Sequence, residues 1–217
     1  YEISVRDWSS DVCSSDLGPD PGLVNVASTL AADHRVQAGL APGDLASRVA
    51  DLLAAHQVVG WMQGGMEFGP RALGHRSILA HPGSTAVRDR INQIKRRAPY
   101  RPLAPAVLTE HKSAFFTGPI DPYMNRTTSV RPAKAARIAG VVHVDGTARV
   151  QAVGPGRSLF RALLEAFAER TGLPLLLNTS LNLKGRPILR TAEQALAAFD
   201  ELGLSVQIGR ASCRERV

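Results

Sequence analysis

Four groups of polar residues have the types and spacing to hold a phosphate. The first lies in GGMEFGPRALGHRS (64–77), where Arg71 and Arg76 stand among Gly69, Pro70 and Gly74. Lys95 and Arg101 make the second, in IKRRAPYRPLAP, where Pro99 and Pro102 stiffen the chain. His143, Thr147 and Arg149 form the third, and Asn178, Thr179, Ser180 and Asn182 the fourth, directly after LPLLL. A guanidinium grips phosphate oxygens through two parallel N–H bonds, and lysine adds a compact charge. Hydroxyls and backbone N–H groups can complete the cradle. The end of a strand, outside an open α/β sheet, is where such ligands bind.

Each group also has a plainer reading. Arg71 and Arg76 could pair with Glu67 and Asp89. Lys95, Arg96 and Arg97 could complement a helix C-terminus. Arg149 could be a surface arginine, His143 a satisfied strand residue, and Asn178 to Ser180 ordinary turn chemistry. Taken singly, none of the four is specific. Other chemistries are excluded more firmly. No G-x-x-x-x-G-K-[ST] occurs and no G-x-G-x-x-G follows a strand. The histidines at 34, 56, 75, 81, 111 and 143 show no H-x-x-x-H or H-x-H spacing, so no metal site is expected.

The ends of the chain stand apart. DWSSDVCSSDL (7–17) and IGRASCRERV (208–217) read as in-frame translations of the two adapters of a short-read sequencing pair. Residues 1–17 and 208–217 are therefore expected to be adapter, and 18–207 a fragment of a longer protein. Both cysteines, Cys13 and Cys213, lie in those ends, which removes disulfide, zinc-thiolate and thiol-nucleophile chemistry from 18–207. The ends hold four of the 26 basic and five of the 19 acidic residues, leaving 22 against 14, a net charge of +8. That balance suits phosphate-bearing partners. About 190 residues suit one domain. No run of 18 apolar residues is present, so no membrane span is expected.

The elements that must position the four groups are legible in part. Leu45, Val49, Leu52 and Leu53 recur at helical spacing behind Asp44. VVGWMQ (58–63) predicts a buried strand, 64–77 a loop, and SILA (77–80) a second strand. Ser84 is expected to cap a helix bearing Val87, Ile91 and Ile94, which carries Lys95 to its end before Pro99. PAVL (105–108) predicts a strand, TEHKSAFF (109–116) a helix, and 117–137 a mobile loop. AGVVHVDGTARVQAV predicts a hairpin turning at Asp145–Gly146. Leu159, Leu163 and Phe167 predict a helix ending at Gly172, LPLLL (173–177) a central strand, and NTSLNLKG a loop. Thr191 and Gln194 form a capping box for a last helix that stops at Gly203. The fold class is mixed-sheet α/β, or α+β.

In this order, GWMQGGMEFGPRALGHRSILA, INQIKRRAPYRPLAPAVL, HVDGTARVQAV and TGLPLLLNTSLNLKGRPI resemble the C-terminal domain of the NodU/CmcH-type O-carbamoyltransferases, from about Leu45 to Val206. The resemblance implies a YrdC-like domain over 45–207, a twisted mixed sheet with flanking helices. Residues 18–44 would then link it to a missing N-terminal Kae1-like domain. It further implies a cytoplasmic biosynthetic enzyme that uses carbamoyl phosphate and ATP, with Mg²⁺, to form carbamoyl-adenylate. The carbamoyl group would pass to a small-molecule hydroxyl acceptor in the N-terminal domain, which would hold an iron ion.

By motif, Arg71, Lys95, Arg101, Arg149 and Ser180 would be the catalytic phosphate ligands. Arg76, His143, Thr147, Asn178 and Thr179 would bind substrate, with Asn178 and Ser180 orienting the carbamoyl group. His75, Leu181 and Arg186 depart from the family's Asn, Phe and Glu, and Arg186 reverses a charge near the Asn178–Ser180 loop. Two rival readings are a non-catalytic basic module that binds RNA and a degenerate fragment without activity. With 5% aromatic residues and no G-x-x-G clamp, the chain offers RNA bases little to stack on.

Overall fold

A computed structural model describes residues 42–156, 158–204 and 206–210. Residues 1–17, expected to be adapter, fall outside them, as do 18–41 of the expected linker and 211–217. The first apolar helical stretch is α1 (Pro42–Ala54), which buries Leu45, Val49 and Leu53. The strand that follows, β1 (Val59–Gln63), is buried at every position, as are β2 (Arg76–Ala80) and β3 (Ala104–Leu108). Strands covered on both faces read as continuous apolar runs, which is why these three were legible.

The main sheet has six strands in the order β6-β3-β7-β2-β1-β8, with β6 at Gln151–Val153, β7 at Leu175–Ser180 and β8 at Val206–Arg210. Contacts β1–β2, β2–β7 and β7–β3 are antiparallel, while the outer pairs β3–β6 and β1–β8 are parallel. Residues 208–210, expected to be adapter, lie in β8 and continue its backbone ladder with β1 to Gln63↔Arg210. Such pairing asks nothing of side-chain identity.

Two long helices pack together and onto this sheet. The helix α5 (Leu159–Thr171) starts at Ser158, whose side chain accepts from the Arg161 N–H at 3.1 Å, and ends at Gly172 in the left-handed region. It buries Phe160, Leu163, Leu164 and Phe167 against α1, β3 and β7. Arg170 fastens the pair, bonding Asp51 and, at 2.6 Å, the Ser47 hydroxyl of α1. The last helix, α6 (Ala192–Leu202), keeps its predicted capping box: the Gln194 N–H reaches Thr191 Oγ1 at 3.3 Å, and Gln194 Oε1 accepts from the Thr191 N–H at 3.3 Å.

Several expectations need correction. The helix α2 (Thr85–Ile94) begins after Ser84, but the Ser84 side chain makes no capping bond. The stretch 117–137 contains a strand, β4 (Thr127–Ser129), and a short helix, α4 (Pro132–Ala135). It follows a 3₁₀ turn at Thr109–His111 and the single-turn α3 (Lys112–Phe115). The hairpin at 139–153 does not form. Its first half is a 3₁₀ segment, Ala136–Val141, that buries Ile138 and Val141 in the core. Its second half splits: β5 (Thr147–Arg149) pairs with β4, and β6 joins β3 in parallel. The Asp145–Gly146 turn is present, with the Gly146 N–H donating to the His143 carbonyl at 3.0 Å. A correct turn signal thus sits between partners that burial, not proximity in sequence, decides. Finally, β7 does not stop at Leu177 but runs to Ser180, held by Ser77↔Ser180 and Leu79↔Asn178.

Phe167 is fully buried where α5 meets the sheet. Phe167→Ala is expected to destabilise the chain by about 3–5 kcal/mol in denaturant unfolding. A loss below about 1 kcal/mol would show that α5 is not part of the core.

Candidate anion-binding site

Strand directions alone gather the four polar groups. Because β2 and β3 both run antiparallel to β7, their first residues lie beside its last ones, and the end of β1 lies beside the start of β2. The loop 64–75, the loop 95–103 and the end of β7 therefore meet at one edge of the sheet. Along β7, Asn178 and Ser180 share a face, and Thr179 takes the other. Thr179 thus pairs with Ile78, and Arg76 lies on that same opposite face of β2.

The loop after β1 is held by buried polar side chains. Glu67, 2% exposed, accepts the N–H groups of Leu73, His75 and Arg76 on Oε1 at 2.8, 3.0 and 3.1 Å. Trp61 Nε1 and Gln63 Nε2 both donate to the Gly74 carbonyl at 2.9 Å, and the Gly74 N–H donates to Ser77 Oγ at 3.2 Å. Asn178 Nδ2 reaches the Ala72 carbonyl and Gln151 Oε1, both at 3.0 Å, while Gln151 Nε2 donates to the Leu73 carbonyl at 2.8 Å. Arg76 is fully buried and donates to the carbonyls of Gln63 at 2.8 Å and Gly64 at 2.9 Å, so it braces the loop from behind. Neither guanidinium pairs with Glu67 or Asp89. Asp89 instead pairs with Arg88. Arg71, at the exposed tip, makes no side-chain hydrogen bond among the described residues.

The second loop is tied down by Asn92, fully buried on α2. Its Nδ2 donates to the carbonyls of Pro99 at 2.9 Å and Arg101 at 3.0 Å, and its Oδ1 accepts from Arg97 Nε at 2.6 Å. The Arg101 side chain is left exposed. Lys95 turns inward, 6% exposed. Its ammonium donates to the Ser180 carbonyl, to Ser180 Oγ at 3.2 Å and to Asn182 Oδ1 at 2.8 Å.

The electrostatics agree with this placement. Burial, with Arg97 nearby, lowers Lys95 to about 7. Burial and Arg101 lower Arg97 to about 10. Burial and the neighbouring Arg71 charge pull Arg149 down. Burial also pushes His143 below the ordinary histidine value; Asp145 opposes the fall and Arg149 adds to it. Among the described residues, no carboxylate comes within ion-pair distance of Arg71, Lys95, Arg97, Arg101 or Arg149. Like charges crowded without counter-ions raise the local positive potential, which an anion would neutralise.

Of the predicted residues, the structure brings Lys95 directly onto Ser180 and places Arg71 beside Arg149, with Asn178 bonded to the Arg71 loop. His143 joins through Thr147, whose Oγ1 lies 3.0 Å from His143 Nδ1, on the same face of β5 as Arg149. Arg76 and Thr179 face away. Arg186, the charge-reversing departure, pairs with Glu201 at 3.5 Å on α6. Sequence reasoning missed Glu67, Asn92 and Gln151 as loop anchors, and Arg97 as a member of the cation group. Each is a polar residue within a stretch otherwise read for apolar spacing or for charge.

Residues 50–211 match the family model described as Carbamoyltransferase C-terminus. The chain is 46% identical over 162 residues to nodulation protein NolO of Bradyrhizobium diazoefficiens, covering 72% of this chain and 30% of that one. It is 42% identical over 155 residues to the 3'-hydroxymethylcephem-O-carbamoyltransferase of Amycolatopsis lactamdurans, covering 70% and 29%. The chain thus spans about a third of the length of these relatives. Among solved structures, full-length HypF in its phosphate- and nucleotide-bound form aligns with TM-score 0.55 at 16% identity, over 75% of this chain and 24% of that one. P. abyssi Sua5 complexed with L-threonine aligns with TM-score 0.54 at 14% identity, over 80% and 48%. The fold is the expected YrdC-like one.

Two outcomes test the site. Gly74 has φ of 100°, and a Cβ there would collide with the Phe160 ring. Gly74→Ala is expected to destabilise the chain by more than about 1 kcal/mol and to weaken phosphate binding; an unchanged midpoint and affinity would refute the packing. For Lys95, the folded value lies below the ordinary 10.5, so the unfolded chain binds more protons between pH about 7 and 10.5. Wild-type stability should therefore rise over that window relative to Lys95→Met, with the full cost of the buried charge present below pH 7. A difference that does not vary with pH would show that Lys95 is not desolvated.

Proposed function

This chain belongs to the Carbamoyltransferase C-terminus family, and we propose that it binds carbamoyl phosphate and ATP and forms carbamoyl-adenylate. The carbamoyl group would then pass to the hydroxyl of a small molecule held by a Kae1-like N-terminal domain, which would also carry the iron ion. The observation that supports this reading most is the cluster of Arg71, Lys95, Arg97, Arg101 and Arg149, gathered at one sheet edge with no carboxylate among the described residues to neutralise it. One relative and one structure of the same fold support the wider reading. One is named as an O-carbamoyltransferase acting on a hydroxymethyl group, and a solved structure sharing the fold is titled as phosphate- and nucleotide-bound.

The roles follow from placement. Arg71 and Arg101, exposed and without side-chain hydrogen bonds among the described residues, are free to close on phosphate oxygens. Lys95 and Arg149, drawn further in, supply charge where water is excluded and electrostatic interactions are stronger. Ser180, held by Lys95, would fix the carbamoyl end with Asn178 behind it. Mg²⁺ would arrive on the phosphates of the nucleotide. Among the described residues, no three His, Cys, Asp or Glu gather to hold an ion by themselves. No described helix is long and apolar enough to cross a membrane, and a cytoplasmic setting belongs to the proposal.

An RNA-binding module is the poorer fit. Backbone phosphates call for cations spread along an accessible surface, whereas Lys95 is buried and Arg149 half-buried.

Calorimetric titration of the full chain with carbamoyl phosphate, inorganic phosphate and ATP tests the assignment. Saturable binding of carbamoyl phosphate tighter than phosphate is expected. Arg101→Ala should weaken it at least about tenfold, because a charge-assisted bond is lost (about 1.5–3 kcal/mol). The thermal midpoint should not move, since only the exposed side chain is removed. An unchanged affinity in Arg101→Ala would remove that residue from the site, and no binding to a folded chain would overturn the proposal.

A further inference from the structure

The cation cluster presents hydrogen-bond donors almost exclusively. Arginine cannot accept, and the Lys95 nitrogen is already taken up by the Ser180 carbonyl, Ser180 Oγ and Asn182 Oδ1. Ser180 Oγ donates to Asn182 Oδ1 at 2.6 Å and accepts from Lys95 at 3.2 Å, so it has no hydrogen left to give and a single lone pair to offer. Asn178 is 1% exposed and its Oδ1 is enclosed away from solvent, out of a ligand's reach. Thr179 faces the other side of the sheet. Such a site suits phosphate and carbonyl oxygens, but a carbamoyl group also carries an amine whose two hydrogens need an acceptor.

One side chain at the rim supplies it. Thr147 Oγ1 lies 2.7 Å from Asp145 Oδ1, and a carboxylate can only accept, so the hydroxyl hydrogen points to Asp145. The same hydroxyl oxygen lies 3.0 Å from His143 Nδ1 and has no hydrogen left to give. Nδ1 must therefore be the protonated nitrogen, and Nε2 keeps its lone pair. The backbone locks this arrangement: the His143 N–H donates to the Thr147 carbonyl at 2.7 Å, and the Thr147 N–H donates to Asp145 Oδ1 at 3.0 Å. No partner for Nε2 occurs among the described residues. The ring is half-buried next to Arg149, and that charge with the burial favours the neutral imidazole.

We infer that His143 Nε2 accepts a hydrogen bond from the carbamoyl amine, and that the Asp145–Thr147 relay fixes the tautomer that lets it do so. The inference rests on the carbamoyl phosphate reading above and deepens it: His143 becomes the residue that separates carbamoyl phosphate from the near-isosteric acetyl phosphate. A methyl group in place of the amine leaves Nε2 unpaired, the situation in which a polar site rejects an analogue most strongly.

The test compares three ligands, carbamoyl phosphate, acetyl phosphate and inorganic phosphate, titrated into the full chain and two variants. Wild type should prefer carbamoyl over acetyl phosphate by at least about tenfold. His143→Phe keeps a ring without nitrogens and should bind the two acyl phosphates within about twofold of each other. Thr147→Val breaks the relay alone and should lose part of the preference. Nitrogen-15 spectra of the unliganded wild type should show His143 protonated at Nδ1. Protonation at Nε2 instead, or a preference that survives His143→Phe, overturns the inference and leaves the carbamoyl phosphate reading standing. Failure of the wild type to bind either carbamoyl or inorganic phosphate overturns that reading, and the inference with it.

Discussion

Mutual repulsion among cations is the constraint on which the rest of the site depends. Two groups of cationic side chains, Arg71 with Arg149 and Lys95 with Arg97 and Arg101, stand at the loops around the end of β7, and no carboxylate among the described residues pairs with them. Without support they would splay into solvent, where lysine and arginine are most easily accommodated. The support is neutral, buried and directed at backbone. Asn178 and Gln151 grip the carbonyls of Ala72 and Leu73, Asn92 grips those of Pro99 and Arg101, and Trp61 and Gln63 grip Gly74. Glu67 contributes the one buried carboxylate of the loop, yet it faces three amides rather than an arginine side chain. Each bracket fixes the chain beside a cation while leaving the cation itself uncompensated. The crowding of like charges thus leaves an unfavourable charge energy that an entering anion would relieve.

The sheet makes this possible by its directions. A parallel arrangement throughout would have sent the starts of β2 and β3 to the far edge, away from Ser180. The antiparallel centre, β1-β2-β7-β3, instead delivers two strand beginnings and two strand endings to one edge. The family match and the shared fold of HypF and Sua5 apply to this same region, and the remaining two thirds of the carbamoyltransferase relatives lie outside it.

What the sequence revealed depended on which force set each element. The central strands follow from burial and were legible. So were the helices whose apolar residues recur at helical spacing, such as Val49 and Leu53 in α1 or Leu163 and Phe167 in α5. The Asp145–Gly146 turn was also legible, because its geometry is local. Its strands were not, since β5 and β6 choose partners distant in sequence, and Ile138 and Val141 serve the core from a 3₁₀ segment. The phosphate-type residues could be picked out by kind, but their facing could not: extending β7 by three residues turned Thr179 away from Ser180. The anchors Asn92 and Gln151 left no signal in charge or periodicity. Their roles exist only when two distant backbones are brought to within a hydrogen bond.

The loop after β1 divides into two parts with different freedom. Residues 72 to 76 are bonded at nearly every backbone group, and Gly74 is wedged against Phe160. Phe68, Gly69, Pro70 and Arg71 stand outside those bonds, with Phe68 87% exposed. Exchanges in the locked part strain the sheet and the α5 packing together, so few would survive selection. The tip, by contrast, can be exchanged at Phe68, Pro70 and Arg71 without breaking any of those bonds, whereas Gly69, at φ of 144°, is held to glycine by its own backbone.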